Sequence, residues 1–148
     1  MRKTLSKKEK NDFLLNNNFM NISEKEPLQY DDKEGLYYSG NNIVALSLDG
    51  VVIPYLKNKN NDLSNIPSVE VDMPAVPFMT KGADLLRPGI VRMDSFEEGT
   101  IIVIRDENNK VALAIMKSNH SSEAIQKMKK GKVAKSLHYV NDKYWKNN

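Results

Sequence analysis

Two β-type runs, Asn42-Ile43-Val44-Ala45-Leu46-Ser47-Leu48 and Val51-Val52-Ile53-Pro54-Tyr55-Leu56, are joined by Asp49-Gly50 alone. Asp-Gly in that place predicts a tight hairpin, because both turn residues must take positive φ. Pro54 has no N–H to give a neighbour, so its strand should lie at an edge or carry a bulge. Shorter runs, Leu28 to Tyr30 and Leu36-Tyr37-Tyr38, come before it. A second pair follows: Thr100-Ile101-Ile102-Val103-Ile104-Arg105 and Lys110-Val111-Ala112-Leu113-Ala114-Ile115-Met116, with Asp106-Glu107-Asn108-Asn109 between them. This predicts a second antiparallel hairpin. Val69-Glu70-Val71-Asp72, Ile90-Val91-Arg92-Met93 and a run from about Ala134 to Val140 complete the strands, and such short pieces suggest a small barrel-like sheet.

The helices are few. Leu5 to Asn17 reads as one, with Ser6 as N-cap and Glu9 three residues later forming a capping box. Phe13 and Leu14 give it an apolar side, and Asn16-Asn17-Asn18 should end it. A short helix is expected from Pro74 to Lys81, with Gly82 as its C-cap. Pro77 should break its first turn and restart the helix there. Ser121-Ser122-Glu123 starts a third, with Ala124, Ile125 and Met128 inward, Lys127, Lys129 and Lys130 outward, and Gly131 closing it. Asn141-Asp142 is a turn, and Tyr144-Trp145 should end the ordered chain.

Lys57 to Pro67 is rich in Asn, Lys and Ser with little to bury, and reads as a linker. The expected domains are therefore 1–65 and 66–148. Apolar residues make up 40% of the 148, which suffices for a core, but two half-size cores are each marginal, so the two parts are expected to pack on each other.

The chain has no cysteine and only His120 and His138. Disulfides, thiolate zinc and cysteine nucleophiles are excluded, and neither a metal nor another cofactor is expected. No apolar run approaches the ~20 residues that span a bilayer. The basic start, Met1-Arg2-Lys3-Thr4-Leu5-Ser6-Lys7-Lys8, leads into Glu9 and Asp12 rather than an apolar stretch, so it is not a signal peptide. A cytosolic protein with no membrane contact is expected. Catalytic motifs are missing: no Gly-x-Ser-x-Gly, no Gly-x-x-x-x-Gly-Lys and no His-Glu-x-x-His. The expectation is a protein that is not an enzyme.

The net charge of +3 is unevenly spread. Residues 1–66 carry nine basic and nine acidic side chains, 67–109 four and eight, and 110–148 nine and two. A basic end suggests a polyanion partner; a solvated lysine-rich face is the other reading of the same charge.

The string Lys81-Gly82-Ala83-Asp84-Leu85-Leu86-Arg87-Pro88-Gly89-Ile90, after a short strand with an acid and a short helix, resembles the signature of PUA domains, named after pseudouridine synthases and archaeosine transglycosylases. Lys129-Lys130-Gly131-Lys132 and Leu137-His138-Tyr139-Val140-Asn141-Asp142-Lys143-Tyr144-Trp145 are similar to the end of the malignant-T-cell-amplified-sequence and translation-machinery-associated family, in an archaeal-type form. The resemblance is strong over 69–146. Over 1–65 it rests on size, the capped helix and the Asp49-Gly50 hairpin. It implies an α+β, mainly β chain: a small N-terminal α/β pre-PUA domain packed on a C-terminal PUA pseudo-barrel. Pro77 departs from the family, which usually has an N–H donor there.

The resemblance also implies RNA along the short helix, the Gly82–Gly89 loop, the following strand and the last strand. Gly82 and Ala83 would let a sugar–phosphate backbone approach main-chain N–H groups, with Lys81 and Arg87 neutralising phosphates and Pro88 and Gly89 fixing the loop exit. Gly82 as a mere C-cap and Pro88-Gly89 as a mere turn is the plainer reading of the same residues. Lys127, Lys129, Lys130, Lys132 and Lys135 would hold RNA by charge. Leu86, Tyr139 and Trp145 could meet an unpaired base, though a lone Trp at the end of a small barrel more often plugs the core. Asp84 should hydrogen-bond loop amides, and His138 should be structural. The implied function is an RNA-binding translation factor acting in initiation, reinitiation or recycling. It would meet the tRNA acceptor end or small-subunit rRNA, and a density-regulated-protein-like or initiation-factor-like partner, as a monomer on its own. Two other readings are an accessory RNA-binding subunit of a modification enzyme, and a protein–protein adaptor using Tyr37, Tyr38, Tyr55 and Leu56.

Overall fold

The computed structural model describes residues 1–146. Its first sheet is a meander in which β1 (Arg2–Thr4), β2 (Leu28–Asp31), β3 (Leu36–Ser39), β4 (Asn42–Leu48) and β5 (Val51–Pro54) stand side by side in chain order, each antiparallel to the next. Asp49 and Gly50 take φ of 51° and 78°, as the tight β4–β5 turn requires. β5, with Pro54, is an edge strand, where a missing N–H costs no ladder bond.

The helix α1 (Lys7–Asn16) starts at Ser6 through a complete capping box: Ser6 Oγ accepts from the Glu9 N–H at 3.1 Å, and Glu9 Oε1 accepts from the Ser6 N–H at 2.8 Å. These bonds hold the Glu9 carboxyl below its usual range. Phe13 packs on Tyr37 at 4.3 Å between ring centres, and Tyr37 stacks on Tyr30 at 4.4 Å. Burial, then the neighbouring Tyr30, raises the Tyr37 phenol. Nothing in the sequence singles out Lys10. It is buried on α1, and its ammonium donates to the carbonyls of Ser23, Glu24 and Glu26. Arg2–Thr4 was likewise expected as a basic lead-in and is a strand. Lys57 to Pro67 contains no strand or helix, but it is tied down: Asn58 Nδ2 donates to the Ile43 carbonyl, and Asn61 Nδ2 to those of Val44 and Tyr55. Tyr55 and Leu56 are buried, so the exposed aromatic patch of the adaptor reading does not form there.

These residues make one compact unit, Met1–Asn65, and a second begins at Ile66. Its sheet holds β6 (Ser68–Val71), β7 (Leu85–Leu86), β8 (Ile90–Met93), β9 (Ile101–Asp106), β10 (Ala112–Ser118) and β11 (Lys132–Tyr139) in the order β7-β11-β10-β9-β6-β8. β6 runs parallel to β9, and the other pairs are antiparallel. The sheet curls into half a barrel around Val69, Val71, Leu85, Ile102, Ile104, Met116, Ile125 and Val133. At the β9–β10 turn the Asp106 carboxylate accepts from the amides of Asn108, Asn109 and Val111. These bonds, that from Asn109 first, hold its carboxyl low against the opposing effect of burial.

Three helical segments differ from expectation. Pro74 to Lys81 is broken as expected, into a 3-10 turn, Met73–Ala75, capped by Asp72, and α2 (Val76–Met79), but the helix restarts at Val76 rather than Pro77 and ends at Met79 rather than Lys81. Pro77 lies in the first turn of α2, where its missing N–H is no loss. The next helix, α3 (Ser122–Lys127), is capped by Ser121 as expected, but it ends at Lys127 rather than Gly131. Ile125 is its buried residue and Ala124 is exposed. The last described element is a single turn, α4 (Lys143–Lys146). Asp142 Oδ1 accepts from the Trp145 N–H. Trp145 is half-buried rather than a core plug.

Candidate nucleic-acid interface

Of the fourteen residues named as possible RNA contacts, Lys127 lies on α3 and Trp145 on α4, and the other twelve lie on three neighbouring pieces of the second unit. These are the loop from Lys81 to Gly89, the Met128–Gly131 turn, and β11. Register pairs Leu86 with Lys132 and Leu85 with Ala134. The Arg87 N–H donates to the Gly131 carbonyl at 2.9 Å, and Arg87 Nε donates to the carbonyls of Ile125 (2.8 Å) and Met128 (3.1 Å). Arg87 therefore ties the end of α3 and the lysine turn to the loop. It was expected to be only a phosphate ligand, but one edge of its guanidinium is spent on structure because α3 ends beside it with carbonyls that can still accept.

The glycine loop differs more. The amides of Lys81, Gly82 and Ala83 all donate back to carbonyls of Phe78 and Met79, so they are not free to hold a phosphate. Gly82 has φ of 89°, and a Cβ there would lie 2.8 Å from the Tyr139 ring. The space that glycine leaves is thus filled by Tyr139, not by an incoming backbone. Gly89 has the same use on a smaller scale: a Cβ there would meet Ala75 Cβ at 3.3 Å. Asp84 does not bond loop amides. Its Oδ1 accepts from the Ser136 N–H at 2.8 Å and its Oδ2 pairs with Lys132 at 3.2 Å, extending the β7–β11 contact just before β7 begins.

What remains open to a ligand is side chain. Lys81, Lys129 and Lys130 are exposed, and among the described residues none of them is ion-paired. Lys127 reaches Glu123 at 3.8 Å with both ends in solvent, a contact of little energetic weight. Lys132 carries the Asp84 pairing, and Lys135 is exposed on β11. Beside them opens a cleft of about 290 Å³ whose walls include Ala75, Phe78, Leu85, Leu86 and Pro88, with Asp72 and Asp84 also on its lining. Leu86 is 56% exposed and Phe78 63%. Phe78 was missed in the sequence. The available signal was an aromatic in a helix too short to bury every apolar residue it carries. His138 is fully buried, with Nδ1 2.6 Å from Asp142 Oδ2. Burial would raise the Asp142 carboxyl, but the bond from His138 and those from the Trp145 and Tyr139 amides outweigh it and hold it low. The pair thus fixes the strand end that carries Tyr139.

A family model described as the PUA domain matches residues 67–140. An uncharacterised protein of Methanocaldococcus jannaschii is 39% identical over 107 residues, covering 69% of this chain and 64% of that protein. The chain thus spans a little under two thirds of that relative's length. Translation machinery-associated protein 20 of Saccharomyces cerevisiae is 30% identical over 130 residues, 83% of this chain and 72% of that protein. Malignant T-cell-amplified sequence 2 of Homo sapiens is 26% identical over 132 residues, 84% of this chain and 73% of that protein. Among solved structures, a hypothetical protein of Pyrococcus horikoshii superposes with a TM-score of 0.82 at 22% identity over 99% of both chains. A conserved PUA domain protein of Thermoplasma acidophilum gives 0.78 at 25% over 99% of both.

Proposed function

Since the chain belongs to the PUA-domain family, in the group of translation machinery-associated protein 20 and the malignant T-cell-amplified sequences, we propose that it is an RNA-binding protein of the translation machinery. The observation that carries this reading is one surface of the second unit. There the exposed lysines 81, 129 and 130 flank the exposed Phe78 and Leu86. Ammonium groups neutralise phosphates without reading sequence, and an exposed aromatic gives an unpaired base a face to lie on. That combination suits RNA with a duplex stem and a single-stranded end, as at the tRNA acceptor or in small-subunit rRNA. The protein would act by binding and positioning, in the cytoplasm, without catalysis. A protein partner of the density-regulated or initiation-factor type belongs to the same reading. No helix among the described residues is long and apolar enough to cross a membrane.

The test is binding of purified protein to tRNA and to small ribosomal subunits across a salt series. The affinity should fall steeply with salt, and Lys129→Glu/Lys130→Glu should weaken it by about tenfold or more, with a salt slope smaller by about 2. Salt-independent binding, or none, sinks the proposal. Co-purification with an RNA-modification enzyme and not with small subunits would move it to the accessory-subunit reading.

A further inference from the structure

Lys129 and Lys130 lie between Met128 and Gly131, and one residue holds both flanks of that pair. Arg87 Nε donates to the Met128 carbonyl at 3.1 Å and to the Ile125 carbonyl at 2.8 Å. The Arg87 N–H donates to the Gly131 carbonyl at 2.9 Å. Between the end of α3 at Lys127 and the start of β11 at Lys132 the chain has neither helix nor strand, so these bonds are what shape the turn. Leu86 and Pro88, on either side of Arg87, both line the apolar cleft. One short segment thus walls the cleft with Leu86 and Pro88 and carries the two lysines with Arg87. Arg87 itself is half-buried, whereas Lys129 and Lys130 are exposed.

A loose turn must give up backbone freedom when it meets a phosphate chain, and that loss weakens binding. A turn pinned at both ends has given it up before the RNA arrives. We propose that Arg87 is a positioning residue for RNA: it fixes Lys129 and Lys130 at a set place beside the cleft and acts on phosphate through them, without touching it. This rests on the RNA-binding reading above and replaces the phosphate contact that the sequence suggested for Arg87. The working atom of Arg87 is then Nε, and its positive charge is incidental. Glutamine separates the two, because its amide nitrogen stands as many bonds from Cα as Nε does and carries no charge. Lysine does the reverse: it keeps the charge, places its ammonium one bond further out and lacks the planar fork.

The experiment uses the full chain carrying Arg87→Gln, Arg87→Lys or Arg87→Met, each alone and together with Lys129→Gln/Lys130→Gln. Every variant is titrated against tRNA over a salt series, with a thermal melt beside it. Arg87→Gln should bind within about twofold of the unchanged protein and keep its salt slope. Arg87→Met should bind about tenfold more weakly and reduce the slope by about 2, because two lysines lose their place, whereas loss of one direct phosphate contact would reduce it by about 1. Arg87→Lys should bind less than Arg87→Gln. With both lysines already changed, Arg87→Met should cost less than about twofold more, since residues that act as one unit are not additive. If Arg87→Gln binds as poorly as Arg87→Met while Arg87→Lys binds as the unchanged protein does, the guanidinium touches phosphate directly; positioning is then overturned and the RNA-binding reading stands. Equal losses from Arg87→Met with and without the two lysines overturn it as well. Should Arg87→Met melt too low to be titrated, the contrast between Arg87→Gln and Arg87→Lys decides by itself. No salt-dependent binding by the unchanged protein overturns both readings.

Discussion

The two units use lysine in opposite ways. In Met1–Asn65 the informative lysine is Lys10, which turns inward and hydrogen-bonds its own chain. In the unit from Ile66 onward Lys81, Lys129 and Lys130 stay exposed and, among the described residues, in no ion pair. Topology divides the units in the same way. The first sheet is a meander of sequence neighbours. The second places β6 between β9 and β8 and puts β7 and β8, consecutive in the chain, at opposite edges. A unit of local pairings can stand on turns and one internal anchor. A unit of distant pairings needs close fits between remote residues, as at Gly82 and Tyr139, and that same convergence gathers its basic side chains on one surface.

Gly82→Val is the largest expected break in this contrast. It forces a β-branched residue into positive φ and drives its side chain into the Tyr139 ring. Strain and overpacking together should cost about 3–5 kcal/mol, read by chemical denaturation. Hydrogen exchange should show its largest loss of protection in residues 67–140. Protection lost mainly in residues 1–65 would refute the assignment of that fit.

Lys10→Met tests the other unit. It keeps much of the stem's packing but leaves the carbonyls of Ser23, Glu24 and Glu26 without their charged donor. Losing hydrogen bonds of this kind should cost about 2–3 kcal/mol, with protection falling first around residues 23–26. A melt like that of the unchanged protein would mean that the anchor is ornamental.

Asp142→Asn is a smaller change with a pH signature. The carboxyl of Asp142 sits below its ordinary value in the folded protein. Its stabilisation is therefore present above the unfolded value, about 3.9, and is lost as pH falls through the lower folded value. The variant should be about 1–2 kcal/mol less stable at neutral pH and should lose less on further acidification, as measured by denaturation at several pH values. Parallel stability curves for the two proteins would remove the carboxylate from this role.

The parts of the fold that could be read in the sequence are those whose partners are close along the chain. Ser6 and Glu9 are three residues apart, Asp49 and Gly50 are adjacent, and the edge position of Pro54 follows from its missing N–H. The Lys81–Ile90 string and the closing Leu137–Trp145 stretch led to the family and to one surface of the second unit. They misassigned several residues on it. Gly82, Asp84 and Arg87 were read as contacts for RNA or for their own loop, whereas each meets something 38 to 57 residues away: Tyr139, Ser136 and Ile125. Phe78 went unread because an apolar residue in a helix looks the same whether it faces core or solvent.

The sequence by itself determined most of the strands, the Ser6 and Ser121 caps, the Asp49-Gly50 turn and the family, since short-range sterics, hydrogen bonds and a specific residue string suffice for them. Only the tertiary structure decided which basic groups hold the protein together and which are left for a ligand. Whether an ammonium or guanidinium is satisfied internally depends on which carbonyls and carboxylates the folded chain brings to it. For Lys10, Arg87 and Lys132 those groups come from other elements.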